Sequence, residues 1–383
     1  MKILMVSIFA PHFFNWTEQL RDSGHEIYWL DVFDSNTQVS QIDFVNQITG
    51  WRYKKEFRGR YYLKKNYPTI NKLVNRFNER NFATFFEKKL NEIQPDVVHS
   101  FVMYLGAAKI YEVMKRYSKI KWIYSSWGSD LFYYRSIPEK LNEMKLVLPE
   151  IDFLFTDCKR DYEIAIKNGF QGDYLGTYPG GGGYDVKSYN KYIKTVEQRK
   201  IILIKGYQGI HGKCKIVLEA IAELKNELKN FEIIVFGADS EVIKHVHKLR
   251  LDKWDNFEVK LKISHFDVMK LMGESMVYIG NSTSDGMPNT LLEAIIMGAF
   301  PIQSNPGNAT SEMIEHTKNG LLIAEPLDKK EIKNHIGFIL RNQNLLKEAF
   351  VYNQQKVKPG LDRKLIRAQV LEKYRLVQNS LES

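Results

Sequence analysis

The chain has 383 residues, which exceeds the length at which a single hydrophobic core usually stops growing, so we expect two domains of comparable size. Hydrophobic residues make up 44% and charged residues 26%, an ordinary globular composition that excludes a long disordered tract. The formal net charge of +10 is compatible with nucleic acid, an anionic membrane face or a phosphorylated substrate, and charge alone does not choose among these partners.

The first half of the chain alternates short apolar runs with segments of helical periodicity. We interpret Lys2–Ser7 as a first buried strand rather than a signal peptide, because its apolar run is short and polar residues follow without a cleavage pattern. A helix is predicted near Trp16–Ser23, and further strands are predicted at Ile27–Val32, Asp96–Ser100 and Lys121–Ser125. This order is typical of a parallel, doubly wound sheet.

A basic aromatic segment, residues 52–89, lies between the second and third of these strands. Lysines and arginines are interleaved there with tyrosines and phenylalanines. Cations attract anionic head groups and aromatic rings settle at a membrane interface, so the segment is a candidate for peripheral contact with an anionic membrane. A solvated basic helix packed by its aromatic face explains the same pattern. No segment offers the roughly 18 uncharged apolar residues that a membrane span needs.

The alternation of strands and helices restarts after a glycine run at residues 180–183. It predicts a second parallel sheet with four strands and a helix from about Gly212 to Leu228; the strands are Lys200–Ile204, Phe231–Phe236, Val277–Gly280 and Phe300–Gln303. We therefore predict an α/β fold of two Rossmann-like, doubly wound domains, residues 1–190 and 191–361. A C-terminal helix at residues 362–383 is expected to cross back to the N-terminal domain.

The most informative segment runs from Gly280 to Pro301. A buried strand leads into a polar loop, Pro288 stands at a first-turn position, and a helix follows that stops at Gly298. Such a helix start offers unpaired N–H groups and the positive end of the helix dipole to a diphosphate, and Gly286 allows close approach to the backbone. We expect Glu293 to accept hydrogen bonds from ribose hydroxyls and Asp285 to lie where the sugar would bind.

This segment resembles the signature of the family-4 retaining glycosyltransferases, also grouped as glycosyl transferases group 1. That signature is an acidic residue, seven residues and a glutamate, followed by Ala, a helix-ending Gly and Pro; the acidic pair here is Asp285 and Glu293. The first acid is commonly glutamate in that family. The resemblance implies a GT-B fold, in which two Rossmann-like domains face a central cleft. It also implies donor-binding roles for the loop and helix start, residues Gly286, Met287, Pro288, Asn289 and Thr290.

Two further segments of the second half match the family. Ile201–Lys213 reads as strand, glycine-bearing loop and helix start, and the family places an Arg and a Lys there to neutralise the donor diphosphate. The resemblance assigns these roles to Lys205 and Lys213, with Gly206 and Tyr207 beside the donor. Downstream, residues 308–312 (Asn-Ala-Thr-Ser-Glu) replace the family's Gly-Gly-x-x-Glu, and residues 319–322 match its Asn-Gly turn before a strand.

In the first half, Gln94–His99 and Trp122–Asp130 resemble two strand-end segments of the family, with Trp127 at a position that usually holds histidine. Asp130 is a candidate for binding or orienting an acceptor hydroxyl, and a helix N-cap is the alternative. The histidines show no metal-ligand spacing, so we expect no metal and no other cofactor; those considered are His12, His99, His211 and His265.

The resemblance implies transfer of a sugar from a nucleotide sugar to a glycan or lipid-linked acceptor with retention of configuration, in bacterial synthesis of a cell-surface polysaccharide such as lipopolysaccharide or capsule. Electrostatic stabilisation of the departing nucleotide diphosphate and positioning of the acceptor would supply catalysis. The alternatives are a sugar-nucleotide epimerase of GT-B fold and a non-enzymatic polyanion-binding protein. We expect no nucleic acid partner. A nicotinamide dehydrogenase is disfavoured because no Gly-x-Gly-x-x-Gly follows the first strand.

The cysteine content bears on the compartment. Cys158 and Cys214 are the only cysteines, too few for a disulfide framework or a cysteine-based zinc site. We therefore expect a cytoplasmic protein, and the basic aromatic segment leaves open a peripheral location at the inner face of the cell membrane.

Overall fold

The computed structural model describes residues 1–382, which form two compact units. The N-terminal unit contains residues 1–156, residues 162–177 and the chain from Gln369 onward. The C-terminal unit contains residues 157–161 and 178–368. Each unit is built on one sheet whose paired strands are all parallel, so the predicted α/β fold with two Rossmann-like sheets is confirmed.

The N-terminal unit holds a seven-stranded sheet. Its strands are β1 (Lys2–Ser7), β2 (Glu26–Asp31), β3 (Asn46–Ile48), β4 (Val97–Phe101), β5 (Lys121–Ser125), β6 (Phe153–Thr156) and β7 (Asp173–Thr177). Their spatial order is β3-β2-β1-β4-β5-β6-β7, so the winding direction reverses between β1 and β4. The helices up to β7 are α1 (Pro11–Glu18), α2 (Arg60–Asn66), α3 (Pro68–Asn78), α4 (Phe82–Ile93), α5 (Ala108–Met114), α6 (Pro138–Val147) and α7 (Lys159–Lys167).

The first helix lies earlier in the sequence than its apolar pattern predicts. We expected a helix near residues 16–23, whereas α1 begins at Pro11 and ends at Glu18. Proline is favoured in the first turn, where its missing N–H would have no helical partner, and this local preference sets the start of the helix. The apolar residues that suggested a later helix still contribute to the core, because Trp16 and Leu20 are buried.

An aromatic cluster fills one side of the N-terminal sheet. Trp16 packs its indole edge-on against Phe155 and donates from Nε1 to the Tyr374 hydroxyl (3.3 Å). His99 lies in the same cluster, with Nδ1 2.7 Å from the Tyr374 hydroxyl and Nε2 2.8 Å from Ser125 Oγ. Burial lowers the pKa of His99 well below its ordinary value. The end of the chain therefore completes the core of the N-terminal unit.

The C-terminal unit holds a six-stranded sheet. Its strands are β8 (Ile201–Lys205), β9 (Glu232–Phe236), β10 (Phe257–Lys260), β11 (Ser275–Gly280), β12 (Phe300–Ser304) and β13 (Leu321–Ile323), in the spatial order β10-β9-β8-β11-β12-β13. The remaining helices are α8 (Cys214–Ala222), α9 (Ser240–Lys248), α10 (His265–Glu274), α11 (Asn289–Ile296), α12 (Lys329–Arg341), α13 (Gln343–Tyr352) and α14 (Arg363–Glu382). Apolar residues of β8, β9 and β11 pack between helices on both faces.

Helix α8 is shorter than predicted, since it ends at Ala222 rather than near Leu228. The buried residues Leu224 and Leu228 continue the apolar pattern in a turn that follows the helix. Among the described residues, none of the helices combines the length and the apolar character that crossing a bilayer requires.

Candidate active site

Two loops meet at the centre of the C-terminal sheet, after β8 (residues 206–213) and after β11 (residues 281–288). Because β8 and β11 are adjacent parallel strands, both loops leave the same edge, where the strand order reverses and ligands bind in open α/β sheets. Backbone hydrogen bonds join them. The Lys213 N–H donates to the Asn281 carbonyl (3.0 Å), and the Thr283 N–H donates to the His211 carbonyl (2.9 Å).

The second loop carries the predicted acidic residue. Asp285 is half-buried, and its Oδ1 accepts a hydrogen bond from the Gly286 N–H (2.9 Å). A Cβ atom at residue 286 would overlap with the carboxylate of Asp157. Close packing against Asp157 therefore requires Gly286, independently of the ligand approach that the sequence suggested.

Arg160, which the sequence analysis did not predict as a site residue, binds the backbone of the Asp285 loop. Its buried guanidinium donates from Nη1 to the carbonyl oxygens of Asp285 (2.7 Å) and Pro306 (2.7 Å). The same guanidinium pairs with Asp161, with Nη2 2.7 Å from Oδ1. Arg160 thus fixes the backbone of the acidic loop and of the loop after β12. No local pattern marks this arginine, because its partners are 125 and 146 residues away.

Glu312 also has a structural partner. Its carboxylate accepts hydrogen bonds from the backbone N–H groups of Lys159 (2.9 Å) and Arg160 (3.2 Å) at the start of α7. A carboxylate in this place satisfies N–H groups that lack helical partners and complements the helix dipole. The loop at residues 308–312 therefore holds the arginine-bearing segment in position.

Helix α11 begins one residue later than predicted. Pro288 is the N-cap residue, with φ −66° and ψ 122°, and Asn289 is the first helical residue. The side chains of the first turn are tied to neighbouring elements, with Asn289 Oδ1 accepting from the Tyr184 hydroxyl (2.9 Å) and Thr290 Oγ1 from the Tyr278 hydroxyl (2.8 Å). Met287 is buried in the apolar core below the helix. These contacts hold the helix start rigidly.

Glu293 lies on α11 and is buried, with His265 beside it. The His265 Nε2 atom lies 2.8 Å from Glu293 Oε1, and this hydrogen bond raises the pKa of His265. Tyr184 is close to the same carboxylate: burial, with the negative charge of Glu293 as a second cause, raises the pKa of Tyr184 well above its ordinary value. The sequence analysis considered His265 only as a metal ligand, which its spacing did not favour, and did not connect it with Glu293.

The two predicted phosphate-binding lysines differ in their surroundings. Lys205, at the end of β8, places its ammonium 5.4 Å from the centre of the Tyr207 ring. Lys213 folds back on its own loop and donates to the carbonyl oxygens of Gly209 (3.2 Å) and Ile210 (2.9 Å). Gly206 is closely packed, since a Cβ there would lie 2.8 Å from the backbone of Ala238.

His211 also belongs to this loop. Burial lowers the pKa of His211, and the charge of Asp285 offsets part of that change. Burial raises the pKa of Tyr207, and the negative charge of the same Asp285 carboxylate raises it further. The structure therefore brings Tyr207, His211 and Asp285 together. The sequence analysis had placed Tyr207 and Asp285 in the donor site but not His211.

Asp130 belongs to the N-terminal unit and is buried. Its carboxylate accepts hydrogen bonds from the Met103 N–H (2.7 and 2.9 Å to its two oxygens) and from the Tyr124 hydroxyl. Met103 begins a π-helical turn directly after Val102, whose φ of 64° is unusual for a β-branched residue. Asp130 therefore stabilises the strained turn after β4. It caps the π-helical turn that begins at Met103 and not a helix that follows Asp130 in sequence.

Within the described residues, one group of side chains places metal-ligand atoms close together: Asp157, Cys158 and Asp161, within 4.8 Å of one another. Asp161 already binds Arg160. Burial raises the pKa of the Cys158 thiol, and the negative charge of Asp157 raises it further. The raised pKa disfavours the thiolate form, which is the form that binds a metal. This chemistry does not favour a metal there, and the expectation that the protein needs none stays a prediction.

Comparison with known proteins adds independent information. Residues 187–357 match the family model of glycosyl transferases group 1, and this range contains both loops, α11 and the acidic pair. A search of curated proteins gave no match.

Solved structures share the fold over the whole chain. Sucrose-phosphate synthase from Thermosynechococcus elongatus is 13% identical, with a TM-score of 0.75 over 99% of this chain and 100% of its own. HepE from Anabaena, solved in complex with UDP, is 13% identical, with a TM-score of 0.68 over 98% of this chain and 100% of its own. A glycosyltransferase from Rickettsia africae is 16% identical, with a TM-score of 0.67 over 98% of both chains. Residues 187–357 thus match the glycosyl transferases group 1, and the two parallel sheets of the chain have the α/β fold of GT-B glycosyltransferases.

Proposed function

We propose that the protein transfers a sugar from a nucleotide sugar to a glycan or lipid-linked acceptor with retention of anomeric configuration, as a family-4 glycosyltransferase. The observation that carries the proposal is the convergence of the β8 and β11 loops beside the start of α11, with Asp285 and Glu293 in the positions of the family's acidic pair. Complexes of HepE with UDP and with UDP-glucose support a nucleotide-sugar donor.

The donor nucleotide would bind against the start of α11 and the loop before it. Glu293 offers a carboxylate to the ribose hydroxyls, and a charged acceptor makes such hydrogen bonds stronger than a neutral one would. Because Glu293 is buried and hydrogen-bonded to His265, it is held in a fixed orientation before the donor arrives. Asp285, in the loop fixed by Arg160, would contact hydroxyls of the sugar.

The diphosphate would lie over the loop after β8, near Gly206 and Tyr207. Lys205 and Lys213 would neutralise its charge, which grows as the bond to the sugar breaks. Lys213 would turn from the carbonyl groups of Gly209 and Ile210 toward the phosphates, since its four-carbon stem is flexible. These lysines and the helix dipole would stabilise the leaving group without a metal ion.

The acceptor, the pathway and the location belong to the same proposal. Synthesis of a bacterial cell-surface polysaccharide would place the protein in the cytoplasm. A lipid-linked acceptor would bring it to the inner face of the cell membrane, with the basic aromatic segment at residues 52–89 as the contact region. Asp130 would act on the acceptor side by holding the turn after β4 rather than by exposing its carboxylate.

A ligand screen tests the proposal. Nucleotide sugars with uridine, guanosine and adenosine diphosphate would be added to the purified chain, and thermal unfolding would be followed with the free nucleotides as controls. A ligand at a hundredfold excess over its dissociation constant stabilises the native state by about 2.7 kcal/mol, a shift that such a scan resolves. We expect one nucleotide to stabilise the protein both free and as its sugar conjugate. Absence of any shift across the panel would contradict the proposal.

Product analysis separates the remaining alternatives. A sugar-nucleotide epimerase would convert the bound nucleotide sugar into its epimer without any acceptor, whereas a transferase releases the nucleoside diphosphate only when an acceptor or water takes the sugar. Chromatography of the nucleotide pool with and without acceptor therefore distinguishes the two activities.

A further inference from the structure

Helices α2 and α3 form a two-helix extension of the N-terminal unit, which we call the α2–α3 hairpin (residues 56–77). Its two ends are tied together at the base. The Lys54 N–H donates to the Asn78 carbonyl (2.8 Å), the Arg80 N–H donates to the Arg52 carbonyl (2.7 Å), and Tyr53 and Glu79 form an antiparallel bridge. The base is fixed, whereas the helices make few contacts with the core.

The hairpin exposes several large apolar side chains to solvent. Within residues 52–85, all of which the structure describes, no residue is buried. On α3, Ile70 is 51% exposed, Leu73 61% and Phe77 70%, and on α2 Tyr61 is 79% exposed. Positions 70, 73 and 77 lie on one face of a helix. Large apolar side chains exposed together on one helix face indicate an interaction site.

A basic groove lies beside the same helix. It has a volume of about 610 Å³ and is lined by Arg52, Lys72, Arg76 and Arg80, with Glu79 as its single acidic residue. Arg52 is paired with Glu79 (3.1 Å), and Arg80 donates to two backbone carbonyls of the base.

Lys72 and Arg76 are the unpaired charges of this groove. Within the part of the chain that the structure describes, neither side chain makes a hydrogen bond or a salt bridge. They are four residues apart on α3, so their like charges face each other and destabilise the isolated helix. An anion between them would remove that repulsion.

The apolar face and the cations have a fixed angular relation on α3. At 100° per residue, Lys72 and Arg76 lie about 120° around the helix axis from the centre of the face formed by Ile70, Leu73 and Phe77. A helix that lies flat on a bilayer needs this arrangement, with apolar side chains below the head groups and cations at their level. Tyr67, the half-exposed N-cap residue of α3, suits the membrane interface as well.

We propose that the α2–α3 hairpin docks the protein on an anionic lipid bilayer. Ile70, Leu73 and Phe77 enter the boundary between head groups and acyl chains, and Lys72 and Arg76 bind lipid phosphates in the groove. The proposal assigns residues and a lipid partner to the peripheral membrane contact of the proposed function. It rests on that function only for its biological setting. Nucleic acid would bind the cations but would leave Ile70, Leu73 and Phe77 exposed. In a dimer formed through this surface, Lys72 and Arg76 of one copy would face the same cations of the other.

The first test removes the charges. The double variant Lys72→Gln/Arg76→Gln and the matched control Lys244→Gln/Lys248→Gln, also exposed and four residues apart on α9, would be sedimented with vesicles. The vesicles would be phosphatidylcholine alone or with a quarter phosphatidylserine. At low salt we expect the α3 variant to lose about 30-fold in partitioning onto anionic vesicles, since each cation near the surface contributes about 1 kcal/mol. The α9 control should bind like the wild type.

The second test follows insertion directly. Both native cysteines are buried, so a fluorophore sensitive to polarity can be attached selectively at Phe77→Cys, with Leu146→Cys, an exposed residue of α6, as the control. We expect a blue shift on anionic vesicles for the label at residue 77 and none for the label at residue 146. Leu73→Ser should reduce vesicle binding at low and at moderate salt alike, because its contribution is apolar and is not screened.

Four outcomes would overturn the proposal. These are equal vesicle binding by wild type and the α3 charge variant, no spectral shift at residue 77, tight binding of an oligonucleotide without vesicle binding, and concentration-dependent dimerisation that Leu73→Ser abolishes. The assays use no donor, so their result does not depend on sugar transfer. Loss of vesicle binding by the variants, with an unchanged nucleotide-induced thermal shift, would confirm the docking surface while leaving the proposed activity to its own test.

Discussion

The His265 imidazole lies against the buried Glu293 carboxylate, with Nε2 2.8 Å from Oε1. The side chain of Glu293 is 9% exposed and that of His265 is 60% exposed, so the imidazole forms the solvent side of the pair. The carboxylate that we propose for ribose binding thus already has one oxygen bound to His265. A donor must share Glu293 with the imidazole or displace it.

This contact predicts a pH dependence of stability. The hydrogen bond to Glu293 raises the pKa of His265 above its unfolded value, so the stabilisation is fully present below the unfolded pKa and is lost as pH rises through the folded pKa. Because His265 is largely exposed, we expect less than about 1 kcal/mol. The difference in thermal midpoint between wild type and His265→Asn should be larger near pH 5.5 than near pH 8.5. In a Glu293→Gln background that pH dependence should disappear, and its persistence would contradict the assignment.

Gly286 is predicted to be intolerant of even a methyl group. In Gly286→Ala the new Cβ would overlap with the Asp157 carboxylate, so we expect the acidic loop to shift and the protein to lose about 1–3 kcal/mol of stability. Gly360→Ala is the control, because nothing lies within 4 Å of a Cβ at that position. Thermal unfolding of both variants checks the prediction. Equal midpoints for the two variants would show that the loop is not packed against Asp157.

The two lysines are predicted to act on turnover more than on donor binding. Charge on the leaving diphosphate grows in the transition state, so Lys213→Ala and Lys205→Ala should lower kcat by about 100-fold each with a smaller change in donor affinity. Lys215→Ala is the matched control, since Lys215 is paired with Glu241 on α9. Steady-state kinetics with the donor found in the screen would measure both quantities. Wild-type kcat in both variants would show that these lysines are ordinary surface residues.

Local pattern was sufficient to predict the elements that build the site. The apolar strand, the polar loop, a proline at the helix start and a terminal glycine located α11 to within one residue, and Gly298 has the positive φ (77°) of a helix-ending glycine. These features depend on neighbours in sequence, where propensity and periodicity act. The two-sheet architecture followed from the same alternation of short strands and helices.

The partners of the site residues could not be predicted, because they come from distant parts of the chain. Arg160 reaches the Asp285 backbone across 125 residues, and His265 reaches Glu293 from the start of another helix. Asp130 was interpreted as a possible N-cap of its own helix, yet its carboxylate binds Met103, 27 residues earlier. Each of these contacts depends on tertiary packing, which leaves no periodic signal in a single sequence.

Calorimetry of the donor nucleotide with Glu293→Gln tests whether the nucleotide binds Glu293 on α11. The substitution keeps the shape of the side chain and removes its charge, so we expect the fold to be retained and the dissociation constant to rise at least tenfold, as loss of one charged hydrogen bond implies. Glu348→Gln, an exposed glutamate on α13, should bind like the wild type. Unchanged nucleotide affinity in Glu293→Gln would show that the donor nucleotide does not bind Glu293.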